Sequence, residues 1–343
     1  AAPRRRGTLR PRRPVTATTP RAGGDAAPVA VAVVSYNTRD ILRGCLASVV
    51  AEGPAEVVVV DNGSTDGSIE MVRAEFPGVR LEVDRGNPGY GGAANRAVAA
   101  CSAPYVLLLN SDTVVPRGTI AALRDHAEAH PRAGIVGPRL RNADGSLQAS
   151  CYAFPGTTFL LVEYSSLRPL ARRVRRLRER YFIGWAHDEA RAVPWVSGAA
   201  LLLRRTAFEA VGGFDAAFHM YFEEVDLAWR MAEAGWETHF APVADVTHLG
   251  GASTAAVWAE MRVRHFRSLV RFCARHHTHA AALRTAAALS AMLLGKRVLD
   301  GTRRHLVRDE AARRDLDRRV AHWRDLTRVP YLREVREHRA ADD

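Results

Sequence analysis

Cysteine is scarce in this 343-residue chain: Cys45, Cys101, Cys151 and Cys273 lie far apart, and none sits in a CxxC spacing. Such thiols read as the reduced cysteines of a cytoplasmic protein, with no zinc ligation among them. No run of about 18 uncharged apolar residues occurs, so no membrane-spanning helix is expected. The arginines near the beginning lack an apolar stretch behind them, which argues against a secretory signal. Acid is in short supply relative to base, 37 Asp and Glu against 49 Lys and Arg, for a net charge of +12. That excess points to polyanionic surroundings: nucleic acid, anionic lipid or phosphorylated substrates.

What is present is a folded-protein composition, 47% hydrophobic and 25% charged, with length for one large domain or two modest ones. Residues 1–28, rich in Arg, Pro, Thr and Ala, read as a disordered basic tail. From residue 29 strands and helices alternate. Val29–Asn37 reads as a strand and Thr38–Gly53 as a helix. "AEVVVVDNGSTDGS" holds a second strand, "SIEMVRAEFPG" a helix and "VRLEVDR" a third strand. After "GNPGYGGAANRAVAACSAP" comes the stretch Tyr105–Val115, "YVLLLNSDTVV", whose apolar run stops at Asn110-Ser111-Asp112. A short apolar run bounded by turn-formers is a buried strand, and the alternation predicts βαβ units in a mostly parallel α/β sheet.

Polar residues close each of these strands: Ser35-Tyr36-Asn37, Asp61-Asn62, Asp84-Arg85 and Asn110-Ser111-Asp112. Parallel strands bring such ends to one rim, where open α/β sheets bind ligands. Each cluster alone is equally a turn; four together suggest a nucleotide crevice. Asp112 there suits a divalent metal held against phosphate, or a cap on the following helix. The glycines of Gly86–Gly92 resemble a dinucleotide fingerprint, which makes a nicotinamide-dependent oxidoreductase a rival. That fingerprint belongs after the first strand, however, and here it follows the third. Gly89, Gly91 and Gly92 are therefore expected to give backbone room beside a nucleotide, with Asn95 facing it.

Further along, "AGIVGPRLRNADGSLQAS" predicts a strand and a hairpin at Asp144-Gly145, "LRPLARRVRRLRERYF" a basic helical patch, and Val193–Arg205 a buried strand. A helix is expected from Tyr221, with Val225, Ala228, Trp229 and Ala232 on one face. Glu223, Asp226 and Arg230 fall on the other, either as a solvated face with an Asp226–Arg230 pair or as chemistry. The aromatic setting of Phe214, Phe218, Tyr221 and Phe222 would desolvate a carboxylate and raise its pKa, as suits a general base. His248, before Gly250-Gly251, is either a structural residue or a metal ligand with Asp112.

The pieces "VVSYN", "VVVVDNGSTDGS", "NPGYGGAANRA", "LLLNSDTVV", "GPRLRNADGSLQAS", "FDAAFHMYFEEVDLAWR" and "THLGGAST" occur in that order over residues 29–255. As a set they resemble an inverting family 2 glycosyltransferase of the GT-A fold, close to the bacterial rhamnosyltransferase-like group. The resemblance implies that Asp61 reads the nucleotide, with Ser35, Tyr36, Asn37, Asn87, Gly89, Asn95, Asn110 and Ser111 also on the nucleotide-sugar. It implies that Asp112, the last acid of a DxD motif that begins with Asn110 here, holds Mn2+ or Mg2+ together with His248. It implies Glu224 as general base with Glu223 the lesser candidate, and Ser197, Gly198, Phe214 and Asp215 on the acceptor side. The donor suggested first is dTDP-rhamnose, and the acceptor a glycan or polyprenyl-linked hydroxyl at the inner membrane face. Alternatives are a soluble small-molecule acceptor and, from another class, a basic nucleic-acid-binding protein, although no specific nucleic acid is expected. No enzyme nucleophile is needed, and no Ser/His/Asp or Cys/His arrangement stands out.

Within the expected 29–255 catalytic domain, residues 29–115 would form the nucleotide half and 116–255 the acceptor half. Residues 256–343 read as a helical basic extension. Its "AALRTAAALSAMLLGKRVL" suits either an anionic membrane interface or packing within the protein, and "RDEAARRDLDRRVAHWRDLTR" reads as a solvated helix. No oligomeric state is specified.

Overall fold

The computed structural model describes residues 26–165, 167–250 and 258–340. The expected tail, residues 1–28, falls almost entirely outside them, as does the "GAST" end of the last family-like motif. The chain divides into two compact units. One takes the described residues of Ala1–Tyr152, Ala186–His219 and Glu223–Ser253. The other takes those of Ala153–Trp185, Met220–Phe222 and Thr254–Asp343.

The first unit is built on β1 (Val29–Ser35), β2 (Glu56–Asp61), β3 (Arg80–Val83), β4 (Tyr105–Asn110), β5 (Thr113–Val114) and β6 (Ala133–Arg141). To these are added β7 (Leu147–Gln148), β8 (Cys151–Tyr152), β9 (Arg191–Val193), β10 (Trp195–Val196), β11 (Ala200–Arg204) and β12 (Glu237–His248). The main sheet runs β3-β2-β1-β4-β11-β6-β12-β5, with β7 on β6 and β9 on β12. The first four strands are mutually parallel, as their continuous apolar runs predict for strands covered on both faces. All seven residues of β1 are buried. Val31, Val33, Leu107 and Leu109 join Leu42 and Leu46 from the helix Arg39–Val50 in one core.

The expected buried strand over Val193–Arg205 is three pieces, β9, β10 and β11. Pro194 and the Ser197-Gly198 step interrupt it. Only β11 enters the sheet centre, antiparallel to β4 with Ala200 opposite Leu109. The hairpin expected at Asp144-Gly145 joins β6 to β7.

The second unit is helical. Its long helices span Trp258–His276, His279–Leu306, Glu310–Thr327 and Tyr331–Ala340. Thr278 and Asp309 cap their successors, accepting from Ala281 N and Ala312 N. The basic patch is two short helices, Arg168–Ala171 and Arg175–Arg180, instead of one. Glu310–Thr327 is not simply solvated. It buries Leu316, Val320, Trp323 and Leu326. Asp300, itself buried, accepts from Trp323 Nε1 at 2.8 Å and pairs with Arg319 at 2.9 Å. His279–Leu306 buries Ala282, Ala286, Leu289 and Leu293 and leaves Leu294, Val298 and Leu299 exposed. No helix among the described residues is long and apolar enough to cross a membrane. All four cysteines are buried and unbridged.

Candidate active site

Parallel register sets the carboxyl ends of the central strands side by side, Ser35 against Asp61 and Val34 against Asn110. A chain of hydroxyls ties two of them together. Ser35 Oγ and Thr38 Oγ1 are 3.3 Å apart, and Thr38 Oγ1 donates to Ser111 Oγ at 2.9 Å. Thr38 thus bonds across the rim instead of capping its helix, where its side chain makes no cap bond. The Asp61 carboxylate organises its own loop, accepting from Gly63 N, Ser64 N and Ser64 Oγ. Of about four acceptor positions on a carboxylate these occupy three, so one is left to accept from a further hydroxyl or N–H. Asn37, at φ 51, accepts from Thr65 N at 2.8 Å and shapes the same loop. Tyr36 is 41% exposed beside it. The Asp84 carboxylate is taken up by Gly86 N and Arg96, so the third strand closes on a surface ion pair.

Asp112 and His248 come together through strand pairing. β5 runs antiparallel to β12 with His248 opposite Thr113, and Leu249 N donates to Asp112 O at 2.9 Å. His248 Nε2 lies 3.2 Å from Asp112 Oδ1, and both residues are largely buried. A polar relay sets the imidazole's tautomer. Asp144 can only accept, so Ser146 Oγ donates to it and in turn accepts from Asn142 Nδ2. Asn142 Oδ1 then accepts from Gln148 Nε2, and Gln148 Oε1 accepts from His248 Nδ1 at 2.8 Å. In neutral His248 this puts the proton on Nδ1 and turns the Nε2 lone pair toward the carboxylate. Two lone pairs facing each other require a proton or a cation between them. Ligand atoms about 2.1 Å from one ion and at right angles to each other are about 3.0 Å apart, close to the separation found. Asn110 Oδ1, buried without a hydrogen-bond partner, is a further neutral oxygen on this rim. The donor set fits a divalent cation. Gln148 carries the relay and was not singled out from sequence; its partner lies a hundred residues away.

The helix Glu223–Glu233 brings a second set of groups. Its polar face is not solvated: Glu223 and Asp226 are buried. Asp226 accepts from Arg230 Nε at 2.7 Å, while Arg230 also donates to the carbonyls of Val211 and Gly213. Glu224 packs beside Gly198, whose Cα, given a Cβ, would meet its side chain at 3.6 Å. Tyr90 Oη donates to Gly198 O at 3.2 Å. Burial raises the Tyr90 pKa well above the ordinary phenol range, reinforced by the charges of Glu223, Glu224 and Asp112. Tyr90 thus feels all three carboxylates; it stands inside the "NPGYGGAANRA" stretch, of which only the glycines and asparagines were singled out. Burial, then the charge of Glu224, pushes Glu223 well above the ordinary carboxyl range. Glu223 Oε2 has no hydrogen-bond partner. The upward shift expected for a buried carboxylate here is found at Glu223, next in sequence to Glu224. Tyr221 and Phe222, just before this helix, both adopt left-handed backbone at φ 66 and 68, a strained geometry for bulky residues.

Other expected residues brace the site. Both ends of the Asn95 amide bind the Phe214 backbone, donating to O and accepting from N at 2.8 Å each. Phe214 is buried, edge-on to Tyr90 and Phe208. Asp215 accepts from Ala217 N in its own turn. Gly89, at φ 81, gives its room to the His219 carbonyl, which accepts from Tyr90 N at 2.9 Å. Asn87 Oδ1 accepts weakly from Gly89 N at 3.4 Å. Ser197 N donates to Ser150 O, fixing the turn that presents Gly198.

The sequence profile of glycosyltransferase-like family 2 matches residues 26–270. An N-acetylglucosaminyl-diphospho-decaprenol L-rhamnosyltransferase of Mycobacterium tuberculosis is 35% identical over 266 residues, covering 72% of this chain and 84% of that protein. A poly-beta-1,6-N-acetyl-D-glucosamine synthase of Staphylococcus aureus is 25% identical over 241 residues, 67% of this chain and 51% of the synthase. Among solved structures, GalNAc-T7 with UDP, GalNAc and Mn2+ shares the fold at a TM-score of 0.53 and 16% identity. That likeness covers 73% of this chain and about half, 48%, of the other.

Proposed function

The chain belongs to glycosyltransferase-like family 2 and has a GT-A fold, and on that premise we propose an inverting sugar transfer from a nucleoside-diphosphate donor to a hydroxyl acceptor. The observation that carries this reading is the Asp112–His248 pair, 3.2 Å apart with its imidazole oriented by Gln148. Asp112 and His248 would hold a divalent cation, which when bound neutralises charge growing on the leaving diphosphate. Ser35, Asp61, Asn110 and Ser111 line the rim where the nucleotide sits.

Glu224 is the base. Its carboxylate takes the proton of the acceptor hydroxyl as that oxygen attacks the anomeric carbon. The bond from that carbon to the diphosphate breaks on the opposite face, so configuration inverts. Burial and the neighbouring Glu224 favour the protonated form of Glu223. Tyr90 and the Gly198 carbonyl define one wall beside it. dTDP-rhamnose, the donor suggested by the family resemblance, is the first to try with a lipid-linked acceptor bearing N-acetylglucosamine, since the mycobacterial relative is named an N-acetylglucosaminyl-diphospho-decaprenol L-rhamnosyltransferase. Exposed Leu294, Val298 and Leu299 support placing the acceptor at a membrane face. Membership of a glycosyltransferase family leaves the oxidoreductase and nucleic-acid readings without support.

The test is a thermal-shift and turnover panel of dTDP-, UDP- and GDP-sugars with and without Mn2+. Metal-dependent stabilisation by one sugar nucleotide, followed by transfer to a hydroxyl, is expected. Failure of every sugar nucleotide to bind in the presence of Mn2+ would overturn the reading.

A further inference from the structure

At the far end of β12 from His248, ring nitrogens of His126, His130 and His239 lie within 4.8 Å of one another. His126 is in the last turn of the helix Thr119–Ala129, His130 follows that helix immediately, and His239 is buried near the start of β12. From His239 to His248, a strand rising about 3.3 Å per residue spans up to roughly 30 Å. We propose that these three histidines bind a zinc-type transition-metal cation, at a site separate from the Asp112–His248 pair.

The hydrogen bonds around the cluster set two rings up as ligands. His130 Nδ1 lies 2.7 Å from the His126 carbonyl, which can only accept, so the proton is on Nδ1 and Nε2 carries the lone pair. His239 Nε2 lies 3.0 Å from Glu237 Oε2, so its proton is there and Nδ1 is the bare nitrogen. Arg132 pairs with the other oxygen of that carboxylate. A carboxylate behind a ligating imidazole is the arrangement that orients the ring and raises its basicity at metal sites. His126 Nε2 is 3.1 Å from His239 Nδ1 and donates to it. A cation bound there replaces that proton, which passes to His126 Nδ1.

The chemistry of the donors favours that ion. Tetrahedral ligands about 2.1 Å from a metal are about 3.4 Å apart, so the His126 and His239 nitrogens, 3.1 Å apart, need only a small opening to admit it. His130 is exposed and stacks on His126 with ring centroids 4.2 Å apart. Turning out of that stack brings its Nε2 inward, and water completes the fourth position. Three imidazoles suit zinc, nickel or copper, whereas the oxygen-containing pair at Asp112 suits manganese or magnesium. The bound ion would clip the end of the helix Thr119–Ala129 to the start of β12.

Zinc binding by untagged full chain is measured by equilibrium dialysis, in an Asp112→Asn, His248→Ala background that silences the other pair. One equivalent is expected, with Co2+ giving the visible absorption of a tetrahedral site. His130→Ala and His239→Gln should each weaken binding roughly tenfold or more, and the rise in melting temperature at a fixed zinc concentration should be largest when all three histidines are present. Because His130 is exposed, His130→Ala reports on binding without loss of fold, which a melt in the absence of zinc verifies. No bound zinc in the background protein, or an affinity unchanged by His130→Ala and His239→Gln, would overturn the proposal.

Discussion

His248 Nδ1 donates to Gln148 Oε1 at 2.8 Å, and through that bond the hairpin carrying Asp144 decides which nitrogen of His248 faces Asp112. Gln148→Leu keeps the bulk and removes the acceptor. The expected result is a loss of Mn2+ affinity of about 10–100-fold, the usual cost of deleting a partner behind a ligand. A metal titration of turnover measures it.

Glu224→Gln tests the base. Removing a positioned general base costs about 10²–10⁴-fold in rate, while donor binding, which uses other residues, should persist. Initial rates set against a thermal shift with the donor separate the two effects. Normal turnover by this variant would place the base elsewhere.

Glu223 makes stability depend on pH. Its folded pKa lies above the unfolded one, so the associated stability is complete below the ordinary glutamate value of about 4.3 and is lost as pH rises through the folded pKa. Glu223→Gln escapes that loss. Its melting temperature should match the parent's near pH 4 and exceed it increasingly toward pH 8; a constant difference would contradict the assignment.

Gly89→Ala places a Cβ on the His219 carbonyl at a backbone angle of φ 81. Strain of this kind costs about 1–3 kcal/mol before the collision is counted. Urea denaturation should show at least that loss, together with reduced turnover, since Tyr90 N shares the same carbonyl.

In the helical unit, Asp300→Ala leaves the Trp323 indole N–H without its acceptor and Arg319 without its partner. Arg319 is 48% exposed and contributes little; the buried indole bond dominates. A loss of about 1–3 kcal/mol is expected by chemical denaturation.

The four parallel strands were legible because strands covered on both faces show as unbroken apolar runs with polar ends. Their register onto one rim followed from topology. The polar face of the Glu223–Glu233 helix was harder to read. An i, i+4 spacing reveals that Asp226 and Arg230 meet, but burial depends on Val211 and Gly213, whose carbonyls each accept from one terminal guanidinium nitrogen. The role of Asn95 as a brace was illegible for a related reason: an amide beside glycines suits a ligand, and its bonds to the Phe214 backbone span 119 residues. The histidine trio was illegible because His126 and His239 approach only through tertiary packing of helix on strand.

β5 is two residues long and lies at the margin of the sheet. The seam that keeps Asp112 against His248 is therefore among the first parts of this unit to breathe. Amide exchange at Val114 and Leu249 should be quick in the resting enzyme and slow sharply once ion and donor arrive. Loading and local ordering would then be a single event, with departure of the spent nucleotide reopening the seam.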